Sequence, residues 1–156
     1  MTAIFRITDK LLDVCASAVL ASMTAVVAVN VFCRFVLSFS LSWGDEVAQI
    51  LLVWMTFLGA AIAMRTGSHY AFDYLVRSLP ELAGKVFSGL SQLIVIAMTV
   101  LLLYWSGEVT LHISKWIMPA TGISRAWVYS ACPVGCFFML VYAVRNFVSE
   151  LNTTNQ

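Results

Sequence analysis

Four long stretches without a single ionised side chain constrain this chain more than any other feature. Nothing charged falls between Asp13 and Arg34, Glu46 and Arg65, Lys85 and Glu108, or Arg125 and Arg145, and these gaps hold 20, 18, 22 and 19 residues. A helix rising about 1.5 Å per residue needs roughly 17 to 25 apolar residues to cross about 30 Å of hydrocarbon. Each gap has that length. The chain therefore reads as an all-α integral membrane protein, a four-helix transmembrane bundle with spans near 12–37, 45–65, 81–107 and 125–146 in a single membrane domain over 1–156. Composition agrees, since 61% of the 156 residues are hydrophobic and 11% are charged, well outside the soluble globular range.

The gaps consume about half of the chain, and the longest remaining segment, Arg65 to Lys85, is too short for a soluble domain. A water-soluble enzyme is excluded. Nine Lys+Arg against eight Asp+Glu leave no basic excess for nucleic acid. Cys15, Cys33, Cys132 and Cys136 all fall in apolar spans, where cysteine behaves as a small hydrophobe. Ala16-Ser17-Ala18 has the form of a signal-peptide cleavage site, but it opens the apolar run instead of closing it, so the first helix is expected to stay in the mature chain.

Orientation follows from the positive charges. With the N-terminus inside, Arg6, Lys10, Arg65, Arg77, Lys85 and Arg145 are cytoplasmic, and Arg34, Lys115 and Arg125 lie outside. Both termini are expected in the cytoplasm. Trp43, Trp105, Trp116 and Trp127 then gather at the outer face, where an indole keeps its ring in lipid and its N–H among headgroups. Only Trp54 is mid-span.

The connections carry their own punctuation. Ser42-Trp43-Gly44-Asp45 has the form of an N-cap that places Asp45 and Glu46 in the first turn of helix two, where the dipole favours negative charge. Thr66-Gly67 is a plausible helix end, Ser78-Leu79-Pro80-Glu81 is a capping box for helix three, and Ser124 can cap helix four. Between them, Phe72, Leu75 and Leu79 recur at helical spacing while Asp73, Arg77, Glu81 and Lys85 step by four. That pattern predicts a short amphipathic helix at the cytoplasmic interface, with a solvated loop as the plainer alternative because Pro80 interrupts it.

Chemistry is conspicuous by its placement. A secondary transporter keeps an ionisable group or a broken helix near the midplane, whereas all eight carboxylates here lie at or beyond helix ends. Pro133, the sole mid-helix proline, deprives the Tyr129 carbonyl of its usual partner and is read as a kink. His69 and His112 follow helices on opposite faces, so one haem cannot use both. Cys132 and Cys136 without a nearby His or carboxylate are weak grounds for zinc, and no serine has a His and a carboxylate beside it. No catalytic residue, cofactor or metal is expected.

What remains is packing. Asn30 and Arg34 share one face near the outer end of helix one, at the depth of Asp45 and Glu46. Arg34 is expected to pair with one of these carboxylates and pin a hairpin; the alternative is that it snorkels to headgroups. Ala18, Ser22 and Ala25, then Gly59 and Ala63, then Ala131 and Gly135 recur at spacings that allow close helix approach.

From Asn30 to Asp73 the chain resembles the small membrane subunit, or Q subunit, of tripartite ATP-independent periplasmic (TRAP) transporters. The resemblance rests on Phe32-Cys33-Arg34-Phe35-Val36-Leu37, Ser40-Leu41-Ser42-Trp43-Gly44-Asp45-Glu46, Val53-Trp54, Phe57-Leu58-Gly59-Ala60 and Arg65-Thr66-Gly67-Ser68-His69. Tyr129 with Pro133-Val134-Gly135 is similar to the family's fourth helix. Where the family often has two glutamates after the tryptophan, this chain has Asp45 and Glu46, which keeps both charges. The resemblance implies a supporting subunit in a bacterial inner membrane. Its partners would be a large permease (M subunit) working by an elevator motion and a periplasmic substrate-binding protein (P subunit), in sodium-driven uptake of an organic acid. Asn30, Arg34, Trp43, Asp45, Glu46, Trp54, Gly59, Arg65, His69, Asp73 and Pro133 are then candidates for structural or subunit-interface roles. A self-contained small transporter and an assembly protein unrelated to uptake are the competing classes.

Overall fold

The computed structural model describes residues 2–39, 41–66 and 81–154, with side-chain surroundings for 6–39, 41–66 and 89–148. The elements are α1 (Thr2–Val36), α2 (Ser42–Arg65), α3 (Glu81–Ile113), the short α4 (Ala126–Tyr129) and α5 (Ala131–Thr154). Four stretches, Arg6–Val36, Ser42–Arg65, Gly89–Ile113 and Ala126–Val148, are long and apolar enough to cross a membrane. The chain is thus an all-α membrane protein, as its charge gaps require. Helices outrun the gaps because backbone hydrogen bonding does not stop where the apolar side chains do: α1, at 35 residues, is about 52 Å long and carries its charged first turns beyond the hydrocarbon. The interfacial helix expected near 69–77, and the Ser78 capping box, lie outside the described residues.

The lateral order of the helices could not be read from hydropathy. Among the described residues α1 packs on α2, α2 on α5 and α5 on α3, while α1 and α3 do not touch. The bundle is laid out as a row, α1-α2-α5-α3, so α2 and α5 are flanked on both sides and the outer helices on one. On α1 the side toward α2 is Leu12, Ala16, Val19, Met23, Val26 and Asn30, an alternation of four and three that suits a left-handed, coiled-coil-like seam. Leu12, Ala16, Leu58 and Tyr142 form the core, with Trp54, Met55, Ile62 and Phe138 against it.

Several local expectations change. Ser42 is inside α2 and Leu41 takes the cap position with no side-chain cap bond, so Asp45 still sits in the first turn but Ser42 does not initiate it. Thr66 ends α2 in a right-handed conformation and its hydroxyl donates to the Ala63 carbonyl at 2.9 Å. Ala18, Ser22 and Ala25 face outward, as does Ala63, and a Cβ at Gly59 would meet nothing within 4 Å. Small residues at the right spacing were therefore not sufficient to locate the seam. Ala131 and Gly135 do lie in it: Ala131 is buried, and a Cβ at Gly135 would fall 2.6 Å from Phe57 Cβ. Pro133 is in the first turn of α5, where its missing N–H costs nothing. The interruption comes earlier, at Ser130 between α4 and α5.

Residues 114–125 form a compact hairpin. The Met118 amide donates to the Ile123 carbonyl and the Arg125 amide to the Trp116 carbonyl, both at 2.8 Å, and Gly122 turns the tip at φ 71°. Arg125 takes the cap position of α4 with no side-chain cap bond, so Ser124 does not cap it as expected; the Ser124 hydroxyl oxygen accepts the Ala126 N–H at 3.2 Å while its O–H donates to the Ser114 carbonyl at 2.7 Å.

Candidate functional site

Polar side chains fasten the row at both ends. At the hairpin end, Asn30 on α1 donates through Nδ2 to Asp45 Oδ1 on α2 at 2.6 Å. Gly44 makes this possible, since a Cβ there would come within 3.1 Å of Asn30 Cγ. Asn30 Oδ1 is buried without a hydrogen-bond partner, so the amide is oriented by its donor side alone. Glu46 reaches the hairpin tip: its carboxylate accepts the Ala120 N–H at 3.0 Å, the Thr121 N–H at 2.8 Å and the Thr121 hydroxyl at 2.7 Å. Three donors on one carboxylate satisfy acceptor sites that a cation would otherwise take, while its charge remains. Arg34 is not that cation. It is exposed, and the ion pair between α1 and α2 is made by other residues at the far end of the row. Asn30 and the hairpin occupy the two carboxylates, and Arg34 makes no ion pair with either.

Midway along the row, Trp54 donates its indole N–H to the Trp127 carbonyl at 3.0 Å. The helix break supplies that acceptor, because the carbonyl lies just before the Ser130 interruption and also receives the Ser130 hydroxyl at 3.0 Å. A mid-span tryptophan thus fastens α2 to α4.

The opposite end holds the ion pair. Arg65 on α2 forks onto Asp13 of α1, Nη2 to Oδ1 at 2.8 Å and Nη1 to Oδ2 at 3.1 Å, and donates to the Asp9 carbonyl at 3.0 Å. The bidentate geometry is the strong form of an Arg–carboxylate contact. Tyr142 on α5 donates to Asp9 Oδ1 at 2.6 Å, and Asn146 on α5 donates to the Met64 carbonyl at 3.0 Å. Tyr142 thereby ties α5 to α1 although α2 lies between them.

Of the sequence-derived candidates, Asn30, Asp45, Glu46, Trp54 and Arg65 join these bonds. Trp43 is exposed beside the α1–α2 contact, Gly59 and Arg34 face outward, Pro133 opens α5, and His69 and Asp73 lie outside the described residues. Asp9, Asp13, Tyr142, Asn146 and Thr121 were not foreseen. For Asp13 a signal existed: it and Arg65 bound the first two charge-free gaps at the same membrane depth with opposite sign. The arrangement satisfies donors and acceptors inside the chain and fixes helix ends. No three potential metal ligands gather among the described residues.

The sequence profile of the DctQ component of tripartite ATP-independent periplasmic transporters matches residues 23–153. The chain belongs to this DctQ family. As a DctQ-family protein it is a membrane component of a tripartite transport system and not an enzyme. A TRAP transporter small permease protein of Haemophilus influenzae is 21% identical over 152 residues, covering 97% of this chain and 94% of the relative. The sialic acid TRAP transporter small permease protein SiaQ of Vibrio cholerae is 26% identical over 138 residues, 86% of this chain and 78% of that one. The sialic acid TRAP transporter permease protein SiaT of Haemophilus influenzae is 29% identical over 111 residues, which are 71% of this chain but 18% of SiaT. The profile begins inside α1, so Arg65 and Tyr142 fall within the DctQ match and their partners Asp9 and Asp13 precede it.

Proposed function

We propose that this chain is the small subunit that scaffolds a large, elevator-type permease for sodium-coupled uptake of an organic acid handed over by a periplasmic binding protein. It sits in the bacterial inner membrane with both termini in the cytoplasm. The observation that carries the proposal is the DctQ match over 23–153 on a row of helices whose charged groups fasten helix ends. SiaT supports a larger partner, since the counterpart of this chain is 18% of that permease protein and the remainder must do something this chain does not. A sialic acid is an organic acid, which supports the substrate class. The Lys+Arg bias supports the orientation.

In this reading Asn30, Asp45, Glu46, Trp54 and Arg65 hold the row rigid and Pro133 opens α5, while Arg34, Trp43 and Gly59 are offered to the partner or to headgroups, with His69 and Asp73 as further candidates for subunit contact. A rigid row suits a stator against which another chain moves. Reconstitution tests it. Proteoliposomes holding the permease and binding protein should regain sodium-driven uptake when this subunit is added, and the subunit alone should show neither flux nor substrate binding. Solute flux through the isolated chain, or full uptake without it, refutes the scaffold role. Cysteine labelling from the periplasm at Ser78 or Thr153 refutes the orientation.

A further inference from the structure

One buried glutamine in the membrane has no partner inside the chain. Gln92, on α3, is 8% exposed, and its carboxamide makes no hydrogen bond among the described residues. Polar side chains farther along the same side of α3 close bonds on their own backbone: Thr99 donates to the Val95 carbonyl, Ser106 to that of Leu103 and Thr110 to that of Ser106. Gln92 does not. Among the described residues α3 touches α5 and, at the hairpin end, the short α4, so the helix that covers Gln92 is α5. The amide is nevertheless reachable. Among the described residues that are not exposed, Asn30 Oδ1 is the one enclosed side-chain oxygen or nitrogen left unpaired, so both polar atoms of Gln92 open onto the surface of the α3–α5 seam.

Depth limits what can pair with it. Gln92 stands seven residues from Lys85 and sixteen from Glu108, about 10 Å inside the nearer end of its charge-free stretch. Acyl tails there carry no donor or acceptor, and an unpaired amide among them is costly. The complementary group must come from another membrane helix with a polar side chain at this depth. Beside Gln92, α3 offers such a helix a face: Gly89, Leu93, Ile96, Val100 and Gly107 follow at steps of four, three, four and seven, the repeat of a helix seam. Leu93 and Val100 are exposed, and a Cβ at Gly89 or Gly107 would meet nothing within 4 Å, so a second backbone can come close at both ends of the face. In SiaT the counterpart of this chain is 18% of a permease protein, which favours the permease over a second copy as the source of that helix. We propose that a transmembrane helix of the large permease packs along this face of α3 and hydrogen-bonds the Gln92 carboxamide through a polar side chain of its own. This contact rests on the permease partner proposed above and assigns it a helix and a residue.

The test titrates the purified full chain against the purified permease of its own transport system in mild detergent, read by microscale thermophoresis. Gln92→Leu should weaken binding about threefold to tenfold, the effect of losing one interhelical hydrogen bond in a membrane. The same variant should raise the SDS fraction at which the free chain unfolds, because an apolar side chain of similar size replaces an unpaired amide. A glutamine that only held the free chain together would lower both readouts. Gly89→Leu, whose Cβ meets nothing in the free chain, should block close approach and weaken binding about fivefold to a hundredfold, a reading of the face that does not depend on Gln92. A benzoylphenylalanine crosslinker at position 93 should capture the permease, and one at position 98, also exposed but on the far side of α3, should not. Unchanged binding by both variants, a less stable free Gln92→Leu chain, capture of the permease from position 98 in place of 93, or capture of a second copy from position 93 would each overturn the contact and leave the scaffold role standing. Failure of the wild-type chain to bind the permease would overturn both.

Discussion

Adding one methyl group at Gly135 and the same methyl at Gly59 should move stability in opposite directions. A Cβ at Gly135 lies 2.6 Å from Phe57 Cβ, 3.2 Å from its carbonyl oxygen and 3.3 Å from its carbonyl carbon. These are stiff atoms that no rotamer can move, so α2 and α5 must part by about 1 Å to restore van der Waals distance. That is the central contact of the row. Overpacking of this kind costs about 1–3 kcal/mol, while alanine gains roughly 0.5–1 kcal/mol over glycine inside a helix. At Gly59 the methyl meets nothing within 4 Å, leaving only the gain. Because both variants share the helix-propensity term, their difference isolates packing and should be about 1–3 kcal/mol in favour of Gly59→Ala. Reversible unfolding by SDS in mixed micelles, followed by circular dichroism, measures both. A gap below about 0.5 kcal/mol, the scatter of neutral surface substitutions, would mean that α2 and α5 do not approach as closely as described.

The fasteners make further predictions. Arg65→Gln and Asp13→Asn should each destabilise by about 1–3 kcal/mol, below the cost of a fully buried pair because Asp13 is half exposed at 50% against 18% for Arg65; a double-mutant cycle should show coupling, and additive losses would deny the pair. Trp54→Phe keeps the ring and loses the bond to Trp127, and should cost about 1 kcal/mol in the same SDS assay. Glu46→Gln should speed amide exchange at Ala120 and Thr121 by loosening the hairpin tip while leaving the α1–α2 contact protected; unchanged exchange would show that the carboxylate does not hold the tip. Arg34→Ala should leave the isolated chain within about 0.5 kcal/mol of wild type, and a larger loss by SDS unfolding would restore the ion pair to Arg34.

The linear chain determined the crossings because lipid is a simple judge. Hydrocarbon hydrates no backbone, so each apolar run must close its own hydrogen bonds as a helix, and every charge is pushed to an end. The four spans were legible from their charge-free gaps on that ground alone. Which face of each helix meets which neighbour was not, because lipid tails and leucines are equally apolar and no hydrophobic contrast marks a seam. Tertiary structure therefore decided that the bundle is a row, that Ala16 and Ala61 pack while Ala18 and Ala63 face outward, and that Gly135 is in contact while Gly59 is not. It also chose among charges. Local sequence offered Arg34 to Asp45 and Glu46, but Asn30 and the hairpin amides, 74 and 75 positions away from Glu46, reached those carboxylates first. The arginine that did find a partner was Arg65, because antiparallel α1 and α2 bring Asp13 back to its depth across 52 residues of chain.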